Sequence, residues 1–99
     1  MKLLDLNPKW ITPNYMSDMY PLYIGVKFNC PHCGKKLVVG FYPPINKIEN
    51  QFLNDFPKLP SMEWTRVSGD DFDNISLSPS VDFEGHWHGH ITNGELTNA

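Results

Sequence analysis

The sequence predicts a mostly-β fold. Three observations carry that reading: short runs rich in β-branched and aromatic residues, turn-forming residues at their ends, and an Asn-Gly pair between two strand-like runs near the C-terminus. The architecture they suggest is two or three hairpins packed as a small sandwich or open barrel, with one short helical insertion.

Residues 1–20 hold Trp10, Ile11, Tyr15 and Met16 among Pro8, Pro13 and two asparagines, and no period of 2 or 3.6 persists. They are expected to form an irregular arm, leaving residues 21–99 as one domain. Pro21 opens the run Leu22–Asn29, a strand by composition and length. Cys30-Pro31-His32-Cys33-Gly34 is a tight turn, and residues 36–42 return as a strand stopped by Pro43-Pro44. Residues 45–56 are the helical candidate. Ile45, Ile48, Phe52 and Phe56 recur at helical spacing, Asn46 stands as cap, and Pro57 and Pro60 end it. Strands are expected around Trp64 and over residues 74–77, separated by the Ser68-Gly69-Asp70-Asp71 turn. In the last hairpin, residues 86–92 lead into Asn93-Gly94, a pair suited to two consecutive positive φ angles.

With 99 residues, 40% of them hydrophobic and 13% aromatic, the chain has the composition of a single folded domain. Its net charge of −3, with only 8 Lys and Arg, argues against a broad nucleic-acid face and leaves only a local patch of Lys27, Lys35 and Lys36. No apolar run is long enough to span a membrane as a helix, and the first residues lack the apolar core of a signal peptide. The expected setting is the cytoplasm. There, two cysteines serve as metal ligands or redox thiols more often than as a structural disulfide.

Cys30 and Cys33 are spaced to grip one tetrahedral ion, with Gly34 letting backbone amides turn towards the sulfurs. Such a pair is half a structural zinc site. The other half is expected from His86, His88 and His90, which share a face if the segment is a strand. His86 and His88 are the favoured ligands, with His90 in reserve. The halves lie 53 positions apart, which excludes a helical zinc finger and suits a zinc staple between two hairpins. His32 abuts Cys33 too closely for easy ligand geometry and is expected to support a ligand or face solvent. Cys-Pro-His-Cys is also a disulfide-oxidase tetrapeptide. Those proteins set it at a helix start, whereas strand-like residues follow it here.

The order of these features resembles a family of small bacterial and phage proteins found in ubiquitin-like conjugation operons, the BubE-like family. The resemblance runs from about Tyr23 to Leu96. It is carried by Ser76-Leu77-Ser78-Pro79-Ser80-Val81 and by His88, Ile91 and Gly94. It implies peptidase-type, deconjugating activity on a protein substrate. Family members usually carry a further cysteine a few residues before the position of His88. Here Gly85-His86-Trp87 stands in that place, so His86 would substitute for the missing thiolate. The segment from about residue 45 to 60 is additional to the common pattern.

Two catalytic readings follow. In one, Ser80 is the nucleophile, His90 its base and Asp82 the residue orienting that base, since a serine hydroxyl needs such activation. In the other, zinc keeps an open position and activates water, with Glu84 or Asp82 as base. Against the second, two thiolates lower the Lewis acidity of the metal, and Cys2His2 centres are usually closed. The non-enzymatic alternative is a protein-binding module, such as a phage or mobile-element inhibitor of a host protein.

Overall fold

The computed structural model describes residues 1–13, 22–46, 58–83 and 85–98. Seven strands form one sheet in chain order: β1 (Lys9–Ile11), β2 (Leu22–Asn29), β3 (Lys36–Asn46), β4 (Trp64–Ser68), β5 (Ser76–Phe83), β6 (Trp87–Thr92) and β7 (Glu95–Asn98). All neighbouring strands are antiparallel except β3 and β4, which run parallel. The sheet curls into a half-barrel. The mostly-β, open-barrel form of the expectation therefore holds, and the sandwich form does not.

Curling gathers one face of the sheet into a core. Val26 and Phe28 of β2, Val39 and Phe41 of β3, Leu77 and Val81 of β5, and Trp87 and Ile91 of β6 are buried there. Strand alternation explains the inward set on β6, where Trp87, Gly89 and Ile91 are buried while His88, His90 and Thr92 are exposed. The β6–β7 turn follows the sequence expectation: Asn93 and Gly94 have φ of 50° and 74°. Two positive angles match the turn's twist to that of the strands. A smaller cluster of Leu22, Ile24 and Met62 lies apart from the main core.

The N-terminal residues are more ordered than an irregular arm. Leu3–Leu6 is a 3-10 helix whose Leu3 and Leu6 enter the core. Lys2 bridges Glu95 at the far edge of the sheet, while β1 pairs with β2. Trp10 stacks on Phe72 at 4.2 Å and on Tyr23 at 5.1 Å. These partners are remote in sequence, which is why local periodicity missed the order.

Two further expectations need correction at Pro43-Pro44 and beyond. The strand does not stop there. Pairing with β2 jumps from Gly25↔Gly40 to Tyr23↔Ile45, so the prolines sit in a bulge where no ladder N–H is demanded of them. At this bend Phe41 and Tyr42 pair instead with Trp64 and Thr65 of β4. Arg66 braces the bend by donating from Nε to the Pro43 carbonyl and from Nη2 to that of Pro44, each at 3.0 Å. Of the expected helix over 45–56, Ile45 and Asn46 belong to β3, and the rest lies outside the described residues. Among the described residues, no helix is long and apolar enough to cross a membrane.

Candidate metal centre

The β2–β3 turn opens with a backbone bond from Lys35 back to Cys30: the Cys30 N–H donates to the Lys35 carbonyl at 2.7 Å, and the Gly34 N–H donates to the Cys30 carbonyl at 2.9 Å. This closed turn buries Cys30 and leaves Cys33 exposed at its tip. The backbone N–H of His32 points at the Cys30 sulfur, 3.4 Å away. Burial pushes the Cys30 thiol up. The N–H groups of Cys33 and His32, the Cys33 thiol and the Gly34 N–H outweigh it, so the thiol lies below its ordinary pKa. Amides aimed at a buried sulfur favour the thiolate, the form that binds metal.

The second half comes from the β5–β6 turn. Phe83 pairs with Trp87, and the His86 N–H donates to the Phe83 carbonyl at 2.8 Å, folding the turn tightly. His86 is the residue just before β6, so it is free of the strand's alternation. Its half-buried ring places Nδ1 3.1 Å from the Cys33 sulfur. The donor atoms of Cys30, Cys33 and His86 all lie within 4.8 Å of one another, so the three could hold a metal ion. Thiolate and imidazole donors on one tetrahedral zinc stand about 3.6 Å apart, from bond lengths of about 2.3 and 2.05 Å. A small rotation of either side chain reaches that spacing. Binding through Nδ1 would leave the ring proton on Nε2.

The structure treats the other expected site residues differently. His88 does not join the donor group. It sits on β6 opposite Asp82, exposed, as is His90. The three-histidine face expected from strand spacing fails because the strand begins only at Trp87, which puts His86 in the turn. His32 is exposed on its turn, as expected. Ser80 lies in a bulge of β5, where pairing to β6 shifts between Leu77↔Ile91 and Val81↔Gly89. Its carbonyl is 3.5 Å from Trp64 Nε1. Among the described residues, no hydrogen bond joins Ser80, His90 and Asp82 into a triad. Glu84 lies outside the described residues.

Sequence reasoning missed Arg66. It donates to three backbone carbonyls, the third being Gly69 at 2.8 Å. Desolvation lowers its pKa and Asp70 opposes that shift. Its role is to hold the β3–β4 bend, and a lone arginine in a strand gives no local signal of it.

No protein-family model matches the chain, and neither a curated protein nor a solved structure matches it significantly.

Proposed function

We propose that the protein is a zinc-stapled β-domain that works by binding another protein. The observation that carries this reading is the convergence of Cys30, Cys33 and His86 from two hairpin turns. Two soft thiolates and an imidazole suit zinc, and they suit it better than magnesium or calcium, which take oxygen donors. Zinc would join the tips of the β2–β3 and β5–β6 hairpins, where the sheet has no ladder between them. The fourth position belongs to a donor outside this trio. A reducing compartment, the cytoplasm, keeps both thiols available.

The resemblance to the BubE-like family would add peptidase chemistry. Ser80, His90 and Asp82 would carry it, but they are not hydrogen-bonded to one another, and among the described residues no base is hydrogen-bonded to the Ser80 hydroxyl. The binding reading therefore takes precedence over the hydrolase reading.

The deciding experiment is native mass spectrometry with metal analysis, followed by cobalt substitution. One zinc per chain, and a cobalt spectrum with tetrahedral intensity and thiolate charge-transfer bands, is the expected result. No metal at equimolar zinc would overturn the staple. Covalent labelling of Ser80 by a fluorophosphonate probe, abolished by His90→Ala, would overturn the precedence of binding over hydrolysis.

A further inference from the structure

We propose that the lane between β3 and β5 accepts an extended segment of a protein partner as an added strand, its apolar side chains seated beside Val38, Trp64 and Phe83 and a basic side chain set against Glu63. This rests on the binding reading above and names the chemistry of the partner.

The lane exists because β4 is short. On the side of β3 that faces β4, only Phe41 and Tyr42 find partners. On the side of β5 that faces β4, pairing ends at Thr65↔Ser78. Continued upstream of Trp64, β4 would run between Lys36–Gly40 of β3 and residues 80–83 of β5. It does not continue. A turn in which the Met62 N–H donates to the Leu59 carbonyl carries the chain across the face of Gly40 instead. A Cβ on Gly40 would lie 1.9 Å from the Ser61 carbonyl oxygen, so the crossing chain rests directly on that glycine. Neither flank of the lane has a strand partner on this side among the described residues. Apart from the Ser80 carbonyl, which Trp64 Nε1 approaches at 3.5 Å, these facing edges lack a ladder partner among the described residues, and such edges call for an occupant that presents N–H and C=O groups in extended form.

The side chains around the lane narrow the occupant. Beside the lane, on the outer face of the sheet, a trough of about 330 Å³ runs from Ile11 of β1 and Ile24 of β2 across Val38 to Trp64 and Phe83, and its lining is mainly apolar. Val38 is 51% exposed, and the Trp64 and Phe83 rings stack at 6.2 Å, forming an aromatic wall. Glu63 is the charged residue of the lining, and no ion pair engages it among the described residues. Apolar walls with one unpaired carboxylate complement an apolar strand carrying Lys or Arg. The Cys33–His86 contact closes the lane at the metal end. From Trp64 to that closure there is room for about four extended residues at roughly 3.3 Å each.

The test uses the full zinc-loaded chain, labelled with ¹⁵N, with zinc content measured in the same sample. Hydrogen exchange of the free protein comes first: rapid exchange of the lane-facing amides in 36–40 and 80–83 is expected. Protection equal to that of the β6–β7 ladder would mean the chain fills its own lane, and would overturn the proposal. A pool of blocked hexapeptides, with Val, Ile, Phe or Tyr alternating with Lys or Thr, is then titrated in. Saturable shifts at Val38, Gly40, Glu63 and Phe83, with slowed exchange on both flanks, are expected. Val38→Glu should weaken binding at least tenfold, and Glu63→Gln should weaken Lys-bearing peptides more than Thr-only ones. Binding that survives N-methylation of the peptide backbone, or shifts confined to β1 or β7, would overturn the added-strand mode. No binding to zinc-loaded protein would overturn this inference and leave the metal staple standing. Absence of zinc would instead show in the metal analysis.

Discussion

Substituting His86 by alanine removes the donor that joins the two hairpin turns and disturbs little else. The ring is half-buried, and its hydrogen-bond partner is the Cys33 sulfur. A tie between residues 53 positions apart restricts the unfolded chain by about 4 kcal/mol at 25 °C, taking the loop-closure relation used for covalent cross-links as the upper bound. Against a typical domain stability of about 5–15 kcal/mol this is a large share. The assay is urea unfolding followed by tryptophan fluorescence, on wild type and His86→Ala, each in excess zinc and in excess chelator. In chelator the two should agree within about 0.5 kcal/mol, because a half-exposed ring adds little packing. In zinc the wild type should gain up to about 4 kcal/mol over the variant, a midpoint shift of roughly 3 M for a slope near 1.3 kcal/mol per M. The variant keeps Cys30 and Cys33, so zinc held by that pair alone is subtracted by the comparison. Equal stabilisation of both proteins by zinc would refute the tie. An equal loss in chelator and in zinc would show that His86 acts by packing alone.

The remaining predictions address the neighbouring geometry. His88→Ala should leave zinc stoichiometry and zinc-dependent stability unchanged, since His88 projects from the exposed face of β6; isothermal titration checks this. Gly40→Ala should cost about 2–3 kcal/mol or prevent folding, because its Cβ meets the Ser61 backbone and cannot be relieved by a rotamer change; thermal unfolding against wild type checks this. Arg66→Lys should lose about 1–3 kcal/mol, as one ammonium cannot reach the Pro43, Pro44 and Gly69 carbonyls together. A Tm within about a degree of wild type would contradict that. Trp10→Ala should cost about 2–4 kcal/mol by emptying the stack between Phe72 and Tyr23. Hydrogen exchange should then show β1 released before the rest of the sheet.

Much of the strand content was legible in the sequence because its signals are local. The run Leu22–Asn29 is β-branched and aromatic, and Asn93-Gly94 is the pair that most readily takes the two positive φ angles of a tight hairpin. Cys30 and Cys33 were legible as a ligand pair for the same reason: their spacing and Gly34 define the turn without help from the rest of the chain. Tertiary structure decided the other features. The amphipathic look of the residues after Pro44 suggested a helix, yet Ile45 is drawn into β3 by pairing with Tyr23. Pro43 and Pro44 read as a stop because local rules count the missing N–H. The bulge removes the demand for it, and Arg66, distant in sequence, holds the bend. Leu3, Leu6 and Trp10 follow no period because they pack against residues far along the chain, Trp10 against Phe72 of the β4–β5 turn. The metal centre divides along the same line. The sequence pointed to the 86–90 segment for the remaining donors, but its strand-face argument favoured His86 and His88 together, and of these only His86 lies beside the cysteines. That His86 meets Cys33 while His88 and His90 face outward depended on where β6 begins, and on a half-barrel whose curl brings two hairpin tips to one end.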